Sequence, residues 1–380
     1  MNFDFDTPVD RRPTDSMKWA KSRTRDAIPM WLADMDFASP PPVMDALVRR
    51  ARHGLFGYTA PQPSLVRAVV DFYRDSFGWT IDPEWIQWLP DLGVGLSLVC
   101  QAFAEPGDDI LLSTPIYHPF LTAVDTADCR RVTPPLDLSG GRWMLNPEAI
   151  ARAVTPRSRL YLLCNPHNPV GRLYTPEEVR RVAELCVERN LVLCSDEVHC
   201  QLILDRGRRH TPTAMLSPEI AERTVTLMAP SKTYNVPGLR CAFMVVPSPE
   251  LRERLTRARR GLVSGGNIFG YVAAETAFRE GGPWLEALLD YLRGNRDLLE
   301  QFVAETPGLA MAHVEATYLA WIDARGLGLE KPADVFDRAG VTLADGRGFG
   351  LDGYVRLTFA TPRATLNEAL RRLRAAIAGS

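Results

Sequence analysis

The chain has 380 residues, 46% of them hydrophobic and 24% charged, which excludes global disorder and leaves room for a large core. Its 44 basic and 46 acidic side chains give a formal charge of −2, so no bulk positive field exists to hold a nucleic-acid backbone or an anionic membrane surface. Only Lys18, Lys21, Lys232 and Lys331 are lysines; the other basic residues are arginines, so chemistry that needs an amine has few candidates.

The N-terminal stretch MNFDFDTPVDRRPTDSMKWAKSRTRD is polar, and no apolar run approaches the roughly 18 residues of a membrane span, so a cytoplasmic protein is expected. The seven cysteines (Cys100, Cys129, Cys164, Cys186, Cys194, Cys200, Cys241) form no C-x-x-C pair and sit mostly in apolar runs such as LYLLCNP. Buried thiols, rather than a disulfide framework, are expected. The six histidines lack zinc-site spacing, and no metal is expected.

In chain order, SPPPVMDALVRRARHG predicts a helix with Ser39 as N-cap and Gly54 just past its end. SLVRAVVDFYRDSFG predicts a second, with Leu65, Val69, Phe72 and Phe77 near one face and Gly78 as the stop. From residue 85 short apolar runs alternate with amphipathic segments: EWIQWLP before GVGLSLVCQAFAEPG, DILLSTP before a helix from Tyr117 to Asp128, and RLYLLCNP before TPEEVRRVAELCVERN. Thr175 and Glu178 stand at capping-box spacing at the start of the last of these. LVLCSDE, TVTLMAP and RCAFMVVP add strands that are apolar throughout, as when helices cover both faces of a sheet. The expected fold class is therefore α/β, with a mainly parallel open sheet. Beyond about residue 250, long helical stretches, strands at TYLAWIDA and YVRLTFATP, and the helix ATLNEALRRLRAAIA predict a smaller α+β domain. The expected division is an N-terminal segment 1–45 that joins the small domain, a large cofactor-binding domain 46–275 and a small C-terminal domain 276–380.

Ligands of open α/β sheets sit at the carboxyl ends of the strands, so the loops there carry the functional reading. Lys232 follows TVTLMAP; a partly desolvated lysine near a second cation loses its proton readily and can attack a carbonyl to form a Schiff base. Lys18, Lys21 and Lys331, in polar segments, read as solvent-facing. Asp196 ends LVLCSD, where an ionised carboxylate needs a positive partner such as a pyridinium nitrogen, or else serves as a helix cap. Glu197, one residue on, points elsewhere. Gly93, Val94 and Gly95, placed directly before a helix, can offer N–H groups to a phosphate, although a plain tight connection explains them equally well. In CNPHNPVG, Asn168 can donate to a phenolic oxygen, and Tyr117 in STPIYHPF can stack on a ring.

In order, NPHNPVG, SDEVH and SKTYNVPGLR resemble the fold-type I pyridoxal-phosphate enzymes of the class I/II aminotransferase superfamily, over nearly the whole chain from about Pro29. PMWLADMDFASPPPVMDAL and RHGLFGYT, with His199 three residues beyond Asp196, resemble the cystathionine β-lyase-like C–S lyases within it. The resemblance implies pyridoxal 5′-phosphate as cofactor and a catalytic set of Lys232, Tyr117 and Tyr58. Lys232 would form the Schiff base and then shuttle the Cα proton. Asp196 would pair with the pyridine nitrogen, Asn168 would bond the phenolic oxygen with His199 nearby, and Tyr117 would stack on the ring. Gly93, Val94, Gly95, Ser231, Arg240 and Tyr58 would hold the phosphate, Tyr58 reaching over from the other subunit of a homodimer. Arg356 in YVRLTFATP would grip the substrate α-carboxylate, with Asn168 and Trp31 also at the substrate and Asp34 to Asp36 near the entrance. Two departures stand out: Ala229 replaces a serine common among relatives, and Arg240 is the aminotransferase-like choice where some C–S lyases have no arginine.

The function implied is β-elimination from an L-cysteine S-conjugate or cystathionine to thiol, pyruvate and ammonia. The alternative is an aminotransferase, or a decarboxylating or oxidatively deaminating relative, acting on an amino acid in specialised metabolism. A nicotinamide-dependent oxidoreductase is disfavoured because GVGLSL lacks the third glycine of the dinucleotide fingerprint. A purely regulatory protein on this fold would have an eroded site, yet Lys232, Asp196, Asn168 and Arg356 are all present.

Overall fold

A computed structural model describes residues 3–20 and 26–379. After a short helix α1 (Met17–Ala20), prolines in the first turn start α2 (Pro41–Arg52) and α3 (Pro63–Phe77), where the missing N–H would have no helical partner anyway. Leu65, Val69, Phe72 and Phe77 are buried, and Gly78 ends α3 in the left-handed conformation (φ 72°). The residue before α2 is Pro40, not Ser39, and it makes no side-chain cap. Ser39 Oγ instead donates to the Asn235 carbonyl (3.0 Å), because long-range anchoring of this segment wins over local capping.

Seven strands form the main sheet: β1 (Ile86–Leu89), β2 (Asp109–Leu112), β3 (Arg130–Val132), β4 (Ser158–Cys164), β5 (Val192–Asp196), β6 (Thr224–Met228) and β7 (Ala242–Val245). Their order is β1-β7-β6-β5-β4-β2-β3, and only β7 runs antiparallel to its neighbours. Along β4, Leu160 and Leu162 face one helical layer while Tyr161 and Leu163 face the other, which explains the absence of polar alternation. The first layer includes α4 (Leu92–Phe103) and α5 (His118–Thr126); α6 (Pro176–Glu188), opened by the Thr175–Glu178 capping box, lies on the opposite face. Gly93 to Gly95 lie within the first turn of α4 rather than in a loop before it, since Asp91 caps the helix by accepting from the Val94 N–H (2.9 Å).

The C-terminal part continues through α7 (Pro249–Arg259), α8 (Ile268–Glu280) and the long α9 (Gly282–Ala304) to a four-stranded antiparallel sheet, and ends in α10 (Arg363–Ala378). Its strands are β8 (Ala310–Met311), β9 (Leu319–Asp323), β10 (Ala344–Asp345) and β11 (Tyr354–Thr358), in the order β8-β9-β11-β10. The N-terminal segment belongs to this part by contact. Ile28–Pro29 pairs with Val341–Thr342, and Phe5, Met30, Met35 and Phe37 share a cluster with Leu292, Phe302, Leu357 and Leu366. Residues 30–37 form a strap between this part and the loop that follows β6, where the Ala33 carbonyl meets Lys232 and the Met35 N–H meets Asn235. Among the described residues, no helix is long and apolar enough to cross a membrane.

Candidate active site

Strands β4, β5 and β6 end side by side, with Cys164 opposite Asp196 and Asp196 opposite Leu227. The loops leaving them converge on a cavity of about 200 Å³ lined by Tyr117, Asn168, Asp196, His199, Ser231 and Lys232, with Gly93 and Arg240 at one end. The NPHNPVG loop returns tightly because Gly171 takes φ +67° and a Cβ there would lie 2.8 Å from Val314 Cγ1. His167, buried beneath it, bridges the Pro115 carbonyl (2.9 Å) and the Tyr174 hydroxyl (3.1 Å). Asn168 is held at the cavity, its Oδ1 accepting from Arg356 Nη1 (2.9 Å).

Arg356 comes from the small sheet, on β11, with its other Nη bonded to the Trp31 carbonyl (2.8 Å) and its guanidinium 4.8 Å from the Phe349 ring centroid. Burial works against its charge and pushes its pKa down to about 10, which leaves it a cation at neutral pH. Its Nε has no hydrogen-bond partner among the described residues. Lys232 donates to the Ala33 carbonyl (2.7 Å), which also accepts from the Tyr318 hydroxyl (3.2 Å). Tyr318 follows Thr317, a β-branched residue held at φ 71°, a strained conformation that the site retains.

Desolvation pushes the Lys232 amine down to about 8, against the opposing charge of Asp34 and with the help of Arg356. The side chain keeps some accessible surface only because it faces the cavity. Burial raises Asp196 to about 7, although the Val198 N–H (3.1 Å) and Lys232 favour its charged form. His199 is forced neutral, down to about 3, by burial and then by the two nearby cations; its Nδ1 has no partner among the described residues. Glu197 does point away, to His210 (2.9 Å) and Ser195 (2.9 Å).

The other expected residues divide. Of the three α4 residues, Gly93 lines the cavity, Val94 gives its N–H to Asp91, and a Cβ at Gly95 would lie 2.8 Å from Leu89 Cδ1, so Gly95 serves close packing of α4 on the sheet. Trp31 meets Arg356 through its carbonyl. Tyr58 is fully exposed and does not line the cavity of its own chain. Lys331 is exposed and Lys21 lies outside the described residues, but Lys18 is buried, contrary to its polar sequence context, because Asp36 and Asp34 of the strap pair with it. Asp91, which no motif singles out, forms an ion pair with Arg240 at the cavity's end. Its N-cap spacing to Val94 was the available signal.

The family profile described as aminotransferase class I and II matches residues 28–373. The chain belongs to this family. Cystathionine β-lyase PatB of Bacillus subtilis is 36% identical over 387 residues, covering 99% of this chain and 100% of that protein. The crystal structure of OvoB superposes with a TM-score of 0.97 at 42% identity, over the full length of both chains. The pyridoxal-phosphate-bound C–S lyase of Staphylococcus hominis matches at 29% identity and a TM-score of 0.94, covering 99% of this chain and 98% of that one.

The cofactor of this family member is pyridoxal 5′-phosphate, and the residues present fit it. Asp196 is a buried acid whose charged form needs a cation, His199 has an unpaired ring nitrogen at the cavity, and Lys232 presents an amine there.

Proposed function

We propose that this chain is a pyridoxal-phosphate-dependent carbon–sulfur β-lyase that cleaves an L-cysteine S-conjugate or cystathionine to a thiol, pyruvate and ammonia. The end-to-end likeness to a relative named cystathionine β-lyase carries the reading, and the strap PMWLADMDF that contacts Lys232 and Arg356 supports it. When bound, pyridoxal phosphate supplies a carbonyl for Schiff-base exchange and a ring that accepts the electron pair left at Cα.

The protein's own groups do the rest. Arg356 takes the substrate α-carboxylate, prealigned by Asn168 and the Trp31 carbonyl. Lys232 Nζ, with a sizeable neutral fraction near pH 8, takes the Cα proton, and the C–S bonding electrons leave Cβ with the thiolate. Water then converts the three-carbon fragment to pyruvate and ammonia. Asp196 would keep the ring nitrogen protonated, the Asn168 amide NH₂ would donate to the phenolic oxygen with neutral His199 beside it, and Tyr117 would flank the ring. Gly93, with the α4 turn through Val94 and Gly95, Ser231 and Arg240 receive the phosphate. Ala229 lines the cavity without a hydroxyl, which leaves Ser231 as the neighbouring hydroxyl donor.

Asp91 occupies two of these anion-binding donors, the Val94 N–H and the Arg240 guanidinium, so loading of the phosphate displaces its carboxylate. A homodimer is part of the same reading. Leu55, Phe56 and Tyr58 are exposed on the RHGLFGYT segment, as is Leu262, and Tyr58 completes the partner's phosphate site. Seven free cysteines fit a cytoplasmic location.

Three outcomes follow. Incubation with cystathionine or S-alkyl cysteines yields pyruvate and free thiol with no added 2-oxo acid co-substrate; amino-group transfer that requires an added 2-oxo acid, with no pyruvate from any conjugate, points to the aminotransferase instead. Asp91→Asn, which keeps a cap acceptor but removes the competing charge, binds pyridoxal phosphate about fivefold more tightly in a titration of cofactor-free protein, as expected for releasing one exposed charge pair; unchanged or weaker binding contradicts the competition. Light scattering gives twice the chain mass, and a monomer that is fully active contradicts the shared site.

A further inference from the structure

Four charged side chains outside the cavity form a cluster that the roles above leave unused. Lys18 on α1 is 1% exposed, and its Nζ lies 2.7 Å from an Asp36 oxygen and 3.0 Å from the Asp34 carbonyl. Arg11 closes the other side, 2.8 Å from the second Asp36 oxygen and 2.8 Å from an Asp34 oxygen, with a further bond to the Met35 carbonyl (3.1 Å). Trp19 Nε1 also donates to Asp36 (3.2 Å). Two cations meet two carboxylates, so the cluster is neutral and its desolvation is compensated by short contacts.

Both carboxylates belong to the strap, and the strap's other contacts lead into the active site. Its Ala33 carbonyl accepts from Lys232 and its Trp31 carbonyl from Arg356, while the Trp31 indole N–H donates back to the Lys18 carbonyl (3.1 Å). From the opposite side, Asn235, three residues after Lys232, accepts from the Met35 N–H (3.0 Å) and donates to the Met35 and Phe37 carbonyls (3.1 and 2.8 Å). The strap is thus gripped between the Lys232 loop and the N-terminal cations. The small domain holds it as well, the Asp36 N–H donating to the Ala360 carbonyl (2.9 Å) and the Thr358 hydroxyl to the Leu32 carbonyl (3.1 Å).

We infer that Lys18 and Arg11 are positioning residues for the reaction: by holding Asp34 and Asp36 they place the Ala33 and Trp31 carbonyls against Lys232 and Arg356. This rests on the roles proposed above for Lys232 and Arg356, but not on whether the reaction ends in elimination or transamination. A merely structural cluster would change stability and leave ligand affinity alone.

The test uses the full-length enzyme loaded with pyridoxal phosphate and an α-methyl analogue of an S-alkyl cysteine, which binds but has no Cα proton to lose. Its Kd is read from the cofactor's visible absorbance, and amide exchange of residues 30–37 is followed in parallel. Lys18→Met weakens binding about tenfold, the scale of one well-placed hydrogen bond to a charged group, and speeds exchange at the Met30, Met35 and Asp36 amides. Lys18→Arg, which keeps the charge, recovers most of the affinity. If Lys18→Met folds poorly, Arg11→Gln at the more exposed side decides, with a loss of about threefold from a weaker, partly solvated pair. Wild-type affinity in the variant that folds, faster strap exchange without an affinity change, or equal losses in Lys18→Met and Lys18→Arg overturn the inference. If the wild-type enzyme binds no amino acid at all, the proposed function fails; the rate of pyridoxal-phosphate capture at Lys232, slowed or unchanged by Lys18→Met, then decides the positioning role.

Discussion

Everything in this molecule's centre depends on keeping an amine and a carboxylate in one small cavity, and a guanidinium behind the Asn168 wall of that cavity, away from bulk water. Burial lowers the Lys232 amine toward neutrality, raises Asp196, and leaves Arg356 charged because a guanidinium starts from so high a value. The same desolvation moves the three groups differently: the amine nears neutrality, the carboxyl holds its proton to higher pH, and the guanidinium stays positively charged. None of them is fully compensated by the others. Such a cavity is suited to a ligand that carries a ring cation, a phosphate and a zwitterionic partner.

The architecture supplies these groups from separate parts of the chain. Asp196, Asn168 and Lys232 come from adjacent strands of the main sheet, where the parallel order forces their loops to the same edge. Arg356 comes from the small sheet, opposite Trp321 on the neighbouring strand. The strap at residues 30–37 touches both sources, since its backbone carbonyls receive Lys232 and Arg356 while its carboxylates are tied to Arg11 and Lys18. An N-terminal segment that reads as a polar lead-in is therefore tied by contact to the strap that borders the candidate site.

What was legible in the sequence follows from how local each signal is. Strand-end residues such as Asp196 and Lys232 stand at the end of unbroken apolar runs, and that pattern survives without tertiary information. The Thr175–Glu178 capping box is contained within four residues and formed as expected. Ser39 has the right residue type for a cap, but Asn235, almost two hundred positions away, takes its hydroxyl. Lys18 looked exposed because its neighbours are polar; its burial comes from Asp34 and Asp36, sixteen and eighteen residues on, neither of which periodicity reveals. Gly93 to Gly95 resembled a phosphate loop, yet their glycines divide between cavity wall and helix packing once Asp91 starts the helix early. Tyr58 belongs to a surface whose role a single chain does not display.

The central claim is that desolvation leaves Lys232 as an amine able to lose its proton near physiological pH. Burial penalises the charged form, so the proton leaves at lower pH than from an exposed lysine. Reductive methylation of cofactor-free protein across a pH series, with the product at Lys232 quantified by mass spectrometry, reads this directly. The account predicts a midpoint near the value of about 8 for Lys232, below the roughly 10.4 of a free lysine side chain in a model peptide. A Lys232 midpoint at the model-peptide value would contradict it.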